Sequence, residues 1–353
     1  MTDFFDELVK LTGNEYAMVA EDADDLEINQ FVQTGSLTFN ALISGSLFKG
    51  IPHGRVTALA GEPATGKTFF AINIVKEFLN ANPDARVIYF ESESAVTPSM
   101  LKSRGCDAKR ILIMPVVTVQ DFRTQAMQIV DNQLKKKEKD RTPLMFVLDS
   151  LGNLSTTKEV NDMIAGAETR DMTRAQLLKG AFRALTLKLG QAKIPMIVTN
   201  HVYDVQNTYV PMKKMNGGSG LDYAASTIIF LGKKKSKDKD DAGTPNGVYI
   251  TGLVKKGRFT IENKKATIFL NYSSGLSKYA GLLDLCLAFG LAKKVGNKIE
   301  VNGHTEFQKK IDAEPEKYFT EDFLKELDTK CHEYFCYGGS IIENEDDTAD
   351  YQE

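Results

Sequence analysis

An α/β fold is predicted for this chain, built on a mainly parallel β-sheet with an antiparallel extension. Three observations predict it. Apolar segments of strand length alternate with segments of helical period from residue 55 to residue 200. Three more strand segments then follow one another without a helix between them. The first strand also leads through a glycine-rich turn directly into the first long helix. Near-continuous apolar strands separated by helices are typical of a parallel sheet covered on both faces.

The elements follow in order along the chain. A short helix is predicted at residues 3–11, where four apolar residues share one side and Gly13 follows as a stop. Strands are predicted at 55–61, 86–93, 111–116, 143–150 and 194–200, and helices at 67–82, 97–105, 119–137 and 173–193. The strands at 226–232, 247–257 and 265–271 form the predicted antiparallel extension, and helices at 281–292 and 321–335 complete the pattern.

Four regions are expected from this pattern. Residues 1–33 hold the N-terminal helix and a short segment after it, and residues 34–275 form the α/β core. Residues 276–340 form a small C-terminal α-rich region, and residues 341–353 form an acidic tail. The tail reads IIENEDDTADYQE, with six acidic residues and no basic one, so it is predicted to be disordered.

Composition bounds the class of protein. At 353 residues the chain exceeds one average core, and 42% hydrophobic with 26% charged residues fits a soluble globular protein. The acidic start does not resemble a signal peptide, and the four cysteines show no disulfide framework, so a cytoplasmic location is expected. Cys331, His332 and Cys336 fit no common zinc spacing, which favours ordinary packing. The net charge of -3 excludes an overall basic footprint, so nucleic-acid binding would need local patches.

A phosphate-binding loop is the most specific local motif. Residues 61–68 read GEPATGKT and match G-x-x-x-x-G-K-[ST] between a strand and a helix. Its lysine can reach the β- and γ-phosphates of ATP, and its threonine hydroxyl can ligate Mg²⁺. The alternative is a glycine-rich turn that binds nothing. The candidate nucleotide-binding residues are Gly61, Glu62, Pro63, Ala64, Thr65, Gly66, Lys67, Thr68 and Asp149, with Thr68 and Asp149 as the metal ligands.

Three carboxylates end neighbouring strands. Asp149 follows the apolar strand FVL and is the candidate for the second metal ligand. Glu91 and Glu93 end the strand YFESE, and residues two apart on an extended chain face the same side. One of the two glutamates could orient and deprotonate a water molecule, and a solvated strand end is the alternative.

A long segment without helical or strand period follows the strand IPMIV. It spans Thr199 to Ala224 and contains two lysines, a GGSG and, near its start, His201. Ordered loops of this length are uncommon inside a compact domain, and such a loop is usually functional or disordered.

Several segments occur in an order that resembles RecA-type recombinases. They are TGSL (34–37), GEPATGKT (61–68), ESE (91–93), LDSLGNL (148–154) and TNH (199–201). With DMTRA (171–175) and AGLLDLC (280–286), the chain looks most like the phage UvsX-type branch. The resemblance covers about residues 30–290. It implies a RecA-like P-loop ATPase core and ATP-dependent DNA strand exchange for recombination and repair. The expected location is a bacterial or phage-infected host cell, and the expected partners are single-stranded and homologous duplex DNA.

The resemblance also implies roles at single positions. Glu93 falls on the family's catalytic glutamate, which activates water. His201 falls where bacterial RecA has a glutamine that senses the γ-phosphate, and the UvsX-type branch has histidine there. Met100 stands where RecA has an adenine-stacking tyrosine, so adenine stacking on this side is not expected.

A helical filament of many protomers is the implied assembly. Lys256 and Arg258 in VKKGRF match two cations that reach the ATP of the neighbouring protomer, and 28–35 falls in the segment that docks on that protomer. The alternative is that these two cations only form a basic, solvent-exposed strand end.

Two loops are implied to bind DNA, namely residues 155–172 and the segment after His201. The candidates for DNA contact are Lys158, Met172, Arg174, Arg183, Lys213, Lys214, Gly217 and Gly218. The cations would contact phosphate, Met172 would wedge between bases, and the glycines would permit a close backbone approach. Ordinary surface loops are the alternative.

Two other functions share the same core. A ring helicase motor would usually carry a separate amino-terminal module, for which residues 1–33 are too short. A KaiC-like regulatory ATPase without DNA binding would not need Lys213 and Lys214 beside GGSG. The acidic tail either contacts a mediator or a single-strand-binding protein, or it competes with DNA for the basic loops.

Overall fold

The structure is a computed structural model, and it describes residues 2–14, 17, 19–20, 28–167, 171–205, 213–234 and 246–338. The predicted acidic tail lies outside the described residues. The strands are β1 (Phe31–Val32), β2 (Ile51–Pro52), β3 (Val56–Gly61), β4 (Arg86–Glu91), β5 (Ile111–Pro115), β6 (Leu144–Asp149), β7 (Met196–Asp204), β8 (Lys213–Met215), β9 (Thr227–Lys234), β10 (Gly247–Gly257), β11 (Lys265–Asn271), β12 (Gly275–Leu276), β13 (Ala292–Val295), β14 (Lys298–Val301) and β15 (His304–Glu306). The helices are α1 (Thr2–Thr12), α2 (Leu37–Ser44), α3 (Lys67–Ala81), α4 (Pro98–Ser103), α5 (Val119–Leu134), α6 (Thr157–Ile164), α7 (Arg174–Gln191), α8 (Gly220–Ala224), α9 (Leu282–Ala288), α10 (Gln308–Ala313), α11 (Pro315–Tyr318) and α12 (Glu321–Phe335).

A ten-stranded sheet forms the centre of the molecule. Its strands lie in the order β12-β11-β10-β9-β3-β7-β6-β4-β5, and β8 is added beside β7. Within the sheet, the six strands from β9 to β5 in this order run parallel to one another. The strands from β10 to β12 are antiparallel, and so is β8 against β7. The predicted mainly parallel sheet with an antiparallel extension is confirmed.

One strand of the predicted extension has a parallel neighbour as well. β9 is antiparallel to β10, as predicted, but its other edge pairs with β3 in parallel, from Thr57 opposite Thr227 to Gly61 opposite Leu231. Parallel neighbours need a crossover of a dozen or more residues, usually a helix. Here the chain between β7 and β9 supplies that length, although α8 is short. Because no long helical pattern precedes β9, the sequence did not indicate that β9 runs parallel to β3.

Helices cover both faces of the sheet. α2 and α3 contribute to the hydrophobic cluster on one face, and α5 and α7 to the cluster on the other. β3 is buried along its whole length between the two clusters. On the α5 face, the Phe90 ring lies 5.1 Å from Phe122 and 5.6 Å from Phe146. Each such buried ring contributes about 1.5–3 kcal/mol relative to exposure. The packed sheet brings the carboxyl ends of β3, β4, β6 and β7 to one edge, where α/β proteins bind ligands.

The C-terminal region contains a small sheet that the sequence interpretation missed. Besides α9 to α12, it holds the antiparallel strands β13, β14 and β15. Asn302 and Gly303 form the turn between β14 and β15, and both have positive φ, as the tight turns of hairpins require. The same hydrophobic cluster continues from the core into this region through Leu282, Cys286 and Phe335.

All four cysteines are free and buried. Within the described part of the chain, no group of three histidine, cysteine, aspartate or glutamate residues could hold a metal ion. The helices there also include none that is long and apolar enough to cross a membrane.

Candidate functional site

The phosphate loop, residues 61–68, joins β3 to α3. Lys67 is the first residue of α3, and Gly66 before it has a φ of 85°, which suits glycine. A Cβ atom on Gly66 would lie 2.7 Å from Leu270 Cδ2. The backbone N–H groups at the start of α3 carry partial positive charge. The loop therefore has the close-fitting backbone and the positive helix end that phosphate groups need.

A cavity of about 470 Å³ opens beside this loop, a size typical of ligand sites. Its lining comprises Pro63, Ala64, Gly66, Lys67, Thr68, Phe69, Glu93, Asp149, His201, Lys233, Val248, Leu270 and Tyr272. The fold thus brings together residues that are far apart in sequence. The Thr68 hydroxyl and the Asp149 carboxylate are oxygen donors of the type that Mg²⁺ prefers, so the donor set fits a nucleotide with its metal.

Lys67 lies where the loop carbonyls and two acids converge. Its Nζ donates to the carbonyl oxygens of Gly61 at 3.1 Å and Glu62 at 3.0 Å. Burial lowers the pKa of Lys67, whereas the negative charges of Glu93 and Asp149 raise it. The ammonium group is thus fixed at the base of the phosphate loop.

Two partners missed by sequence reasoning hold Asp149. This carboxylate is buried at the end of β6, where Oδ2 accepts a hydrogen bond from the Tyr89 hydroxyl at 2.8 Å and Oδ1 accepts one from Thr199. Burial and the charge of Asp149 raise the pKa of Tyr89, so its hydroxyl stays a donor. Both partners lie within segments already noted, YFESE and TNH, but only the pairing of β4, β6 and β7 brings them together.

The two glutamates of ESE have different environments. β4 ends at Glu91, so the strand rule that placed both on one side does not apply beyond it. Glu91 is buried, and its carboxylate accepts the backbone N–H groups of Glu93, Ser94 and Ala95, which stabilises the turn. Glu93 instead lines the cavity. Of the two candidates, only Glu93 is positioned to meet a ligand there.

Glu93 is held by two donors on the same oxygen. Its Oε1 accepts from the Ser150 hydroxyl at 2.6 Å and from His201 Nε2 at 3.2 Å. Burial raises the pKa of Glu93, but the hydrogen bonds from Ser150 and His201 and the charge of Lys67 outweigh it, so the pKa lies below its usual value. The carboxylate is therefore ionised at neutral pH and can accept a proton.

His201 connects this carboxylate to the phosphate loop. Its Nδ1 lies 3.5 Å from Lys67 Nζ, and its Nε2 faces Glu93. The tautomer with hydrogen on Nε2 satisfies both contacts, because Nδ1 then accepts from the lysine. His201 is part of β7 and lies opposite Gly61 in β3.

The segment after His201 is more regular than predicted. The interpretation placed an irregular loop from Thr199 to Ala224, but β7 continues to Asp204 and pairs with β8, and α8 follows. The pair of Val202 and Met215, both buried, explains this hairpin. The sequence interpretation did not detect so short a strand beside unpatterned residues. Residues 206–212 lie outside the described part.

The cations of β8 lie beside the phosphate loop. Lys213 forms an ion pair with Glu62, which lowers the pKa of Glu62 and raises that of Lys213. Lys214 is exposed on the same strand. A predicted DNA-binding side chain is thus in direct contact with a predicted nucleotide-binding residue.

The glycines after β8 pack the turn against α7. Gly217 and Gly218 both have positive φ. A Cβ atom on Gly217 would lie 2.9 Å from Leu178 Cδ1, and one on Gly218 would lie 3.0 Å from Ala175 Cβ. Within the structure the two glycines therefore permit close contact with a helix of the same chain.

The first predicted loop, residues 155–172, contains a helix. Thr156 and Glu159 form a reciprocal capping box that starts α6. The Thr-x-x-Glu signal was present in the sequence, although the interpretation treated the segment as loop. Lys158 on this helix is exposed. Residues 168–170 lie outside the described part.

The candidate DNA-binding side chains around α7 differ in their solvent exposure and in their hydrogen bonds. The Met172 side chain is 87% exposed just before α7, and Arg183 is exposed along it. Arg174 is turned inward, and its guanidinium donates to the carbonyl oxygens of Leu154 at 2.7 Å and Gly152 at 2.8 Å. A phosphate contact by Arg174 would require these hydrogen bonds to open.

Lys256 and Arg258 lie away from the cavity of their own chain. Lys256 is within β10, after a bulge, and its Nζ donates to the carbonyl oxygen of Asp222. Burial and the charge of Arg258 lower the pKa of Lys256. Burial and the same charge also lower the pKa of Arg55. Arg258 thus lies near both Lys256 and Arg55, while the negative charges of Asp222 and Glu262 raise the pKa of Lys256.

Met100, which stands where RecA has an adenine-stacking tyrosine, is partly buried. Met100 packs against the hydrophobic core and does not line the cavity. Tyr272, which follows β11, lines it instead and is about half exposed. Sequence reasoning gave no signal for Tyr272, because its place depends on the pairing of β10 with β11.

Comparisons with known proteins agree with this geometry. The family described as RecA N-terminal domain matches residues 2–277. The "Recombination and repair protein" of Enterobacteria phage T4 is 31% identical over 297 residues, which are 84% of this chain and 73% of that protein. "Protein RecA" of Mycoplasmopsis pulmonis is 27% identical over 303 residues, 85% of this chain and 83% of that protein. "Protein RecA" of Fusobacterium nucleatum is 25% identical over 268 residues, 75% of this chain and 66% of that protein. The predicted resemblance and the RecA-like fold class are confirmed: this chain belongs to the RecA family.

Proposed function

We propose that this chain is an ATP-dependent DNA strand-exchange recombinase that forms helical filaments on single-stranded DNA for homologous recombination and repair. Members of the RecA family bind ATP, are DNA-dependent ATPases and act on DNA as filaments. The proposal extends these family properties to this chain and assigns them to its residues.

One observation carries the proposal. His201 contacts both Lys67 and Glu93, and it belongs to the strand that continues into the β7–β8 hairpin with Lys213 and Lys214. A change at the terminal phosphate would therefore alter the contacts of His201 and move the start of the hairpin. Conversely, DNA bound to the hairpin would reposition His201. Such a shared element makes the coupling of the two sites reciprocal.

Within the nucleotide site, each side chain has a task that follows from its chemistry. Bound ATP supplies the phosphoryl group that is transferred to water. Lys67 binds the terminal phosphates, and Thr68 with Asp149 holds Mg²⁺. Glu93 accepts a proton from the attacking water, since its low pKa keeps it ionised. His201 senses the phosphate end of the cavity.

The cations on β10 would complete the site of a neighbouring protomer. Arg258 lies near Lys256 and Arg55, and none of these three cations lines the chain's own cavity. The negative charge of a transferring phosphoryl group needs stabilisation where water is excluded. A filament that stacks these cations on the next cavity would provide it.

The DNA surface would consist of the hairpin, α6 and the start of α7. Each protomer offers only a few exposed cations there, among them Lys158, Lys213 and Lys214. A filament repeats them along one axis, so binding is expected to be cooperative, salt-dependent and largely independent of sequence.

The test measures the ATP hydrolysis rate with and without single-stranded DNA, combined with electron microscopy of the products. The proposal predicts DNA-stimulated hydrolysis and helical filaments. Closed rings would indicate the helicase motor, and hydrolysis indifferent to DNA would indicate the regulatory ATPase. Family membership gives no support to either alternative.

A further inference from the structure

Ser150 is a buried serine that none of the roles above uses. It follows Asp149 at the end of β6, and its side chain has no solvent exposure. Its hydroxyl donates to Glu93 Oε1 at 2.6 Å. Hydrogen bonds from a hydroxyl to a carboxylate are short and strong, and this distance falls in their range. A buried hydroxyl therefore donates directly to the proposed base.

Ser92 fixes the backbone of Ser150. Its Oγ accepts the N–H of Ser150 at 2.9 Å and donates to the carbonyl oxygen of Ser150 at 2.8 Å. The N–H of Ser92 also donates to the carbonyl oxygen of Asp149 at 2.9 Å. The ends of β4 and β6 are thus joined by three hydrogen bonds. Because its backbone cannot shift freely, the Ser150 hydroxyl is a rigid anchor for any group bound to it.

The two carboxylate oxygens of Glu93 are not equivalent. Ser150 and His201 both donate to Oε1. Among the described residues, no donor reaches Oε2, and Glu93 lines the cavity. An oxygen that already accepts two hydrogen bonds is a poorer proton acceptor than its neighbour. Oε2 is therefore the oxygen available to a water molecule in the cavity.

We infer that Ser150 is a positioning residue for ATP hydrolysis, whose hydroxyl holds Glu93 Oε1 so that Oε2 faces the attacking water. This inference rests on the proposed function. In the reaction one proton of the water passes to Oε2, and the resulting hydroxide oxygen bonds to the terminal phosphorus. The bond from that phosphorus to the bridging oxygen breaks, and ADP leaves with that oxygen and its electron pair. Ser150 transfers no proton in this step. It fixes the direction from which the base acts, while His201, the other donor, can change its contacts with the nucleotide.

The test replaces Ser150 by alanine and measures steady-state ATP hydrolysis with saturating single-stranded DNA over a range of pH. Loss of an anchor for the general base is expected to lower kcat about tenfold and to leave KM within about twofold. The pKa of Glu93 should rise without the hydroxyl, because that hydrogen bond favours the ionised form. The acidic limb of the kcat profile should therefore move to higher pH.

A matched control is Ser226→Ala. Ser226 is another buried serine, one residue before β9, and its hydroxyl has no partner among the described residues. Its removal is expected to leave kcat and the pH profile unchanged. Binding of a fluorescent ATP analogue to each variant checks that the site is folded.

A double substitution separates positioning from general damage. If Ser150 acts through Glu93, then Ser150→Ala should not lower further the residual rate of a Glu93→Gln chain. An equal fractional loss in both backgrounds would overturn the inference, as would a Ser150→Ala profile identical to that of Ser226→Ala. Absence of DNA-stimulated hydrolysis in the wild-type chain would overturn the proposed function, and this inference with it. Normal wild-type hydrolysis with an unaffected Ser150→Ala variant would overturn the inference alone.

Discussion

At the scale of single residues, the chemistry depends on how buried polar groups are held. Asp149 is oriented by Tyr89 and Thr199, while Glu93 is oriented by Ser150 and His201. Hydrogen bonds to charged groups in a partly buried site keep those groups in one orientation. The predicted catalytic and metal-binding side chains are thus supported by neighbours that carry no motif of their own.

The first prediction concerns Lys67. Lys67→Ala removes the ammonium that would bind the terminal phosphates, so hydrolysis should fall about 100-fold or more and ATP-dependent DNA binding should be lost. Because burial disfavours the charged lysine, the fold should stay intact. Hydrolysis, DNA binding and thermal unfolding should be measured beside Lys76→Ala, which removes a partly buried lysine of the same helix that pairs with Glu77 and does not line the cavity. Hydrolysis at the wild-type rate would refute the phosphate-site assignment.

The second prediction concerns His201. His201→Ala should still bind nucleotide, but single-stranded DNA should no longer accelerate hydrolysis, because the link between cavity and hairpin is cut. His201→Gln keeps a hydrogen-bonding side chain and should retain most of the stimulation. Full DNA stimulation in the alanine variant would mean that another residue couples the two sites.

At the scale of elements, the β7–β8 hairpin connects the two proposed binding functions. Its Lys213 is paired with Glu62 of the phosphate loop, and both side chains are largely exposed. Exposed ion pairs are weak, so this contact can exchange readily for a DNA phosphate. The position of the hairpin therefore depends on whether Lys213 pairs with Glu62 of the phosphate loop or with a DNA phosphate.

The third prediction follows from that ion pair. Glu62→Gln should free Lys213 and raise the affinity for single-stranded DNA without nucleotide about two- to fivefold, as loss of a weak competing pair allows. Affinity should be measured by fluorescence anisotropy at low and moderate salt. Glu300→Gln is the control, since it makes the same charge change and breaks the exposed pair with Lys293. Equal effects of both substitutions would show that only net charge matters.

The sequence predicted elements with strong local signals and missed those that depend on distant pairing. The strand–GEPATGKT–helix unit was predicted because glycine, lysine and apolar periodicity are all local. The direction of β9 and the existence of β8 depend on partners elsewhere in the sheet. Likewise, Glu93 and Asp149 were predicted as candidate residues, whereas Tyr89, Thr199 and Ser150 were missed. Their roles arise only when β4, β6 and β7 lie side by side.

At the scale of the whole molecule, the nucleotide site is incomplete if phosphoryl transfer needs cations beyond Lys67 and Lys233, which line the chain's own cavity. None of Arg55, Lys256 and Arg258 lines that cavity. Stacking of identical protomers would bring these cations to the next cavity, and repetition without closure produces a filament. ATP binding and assembly would then depend on each other.

The fourth prediction tests this sharing. A Lys256→Ala, Arg258→Ala double variant should fold and bind ATP weakly, but it should neither hydrolyse ATP nor form the ATP-dependent filament. When it is mixed with a Glu93→Gln chain, some interfaces combine an intact Glu93 with intact cations, so activity should partly return.

The control for this mixture uses a chain with all three substitutions, which should restore nothing to either partner. If mixed filaments form and activity does not return in the first mixture, the cations do not act across the interface.

Strand exchange is the decisive activity for the proposed function, because it requires nucleotide, DNA and assembly together. Labelled single-stranded DNA coated with the protein should be mixed with homologous or unrelated duplex DNA, with and without ATP and Mg²⁺, and joint molecules counted. Joint molecules are expected only with ATP and only with the homologous duplex. Filaments that hydrolyse ATP on DNA but pair no homologous duplex would refute the proposed strand exchange.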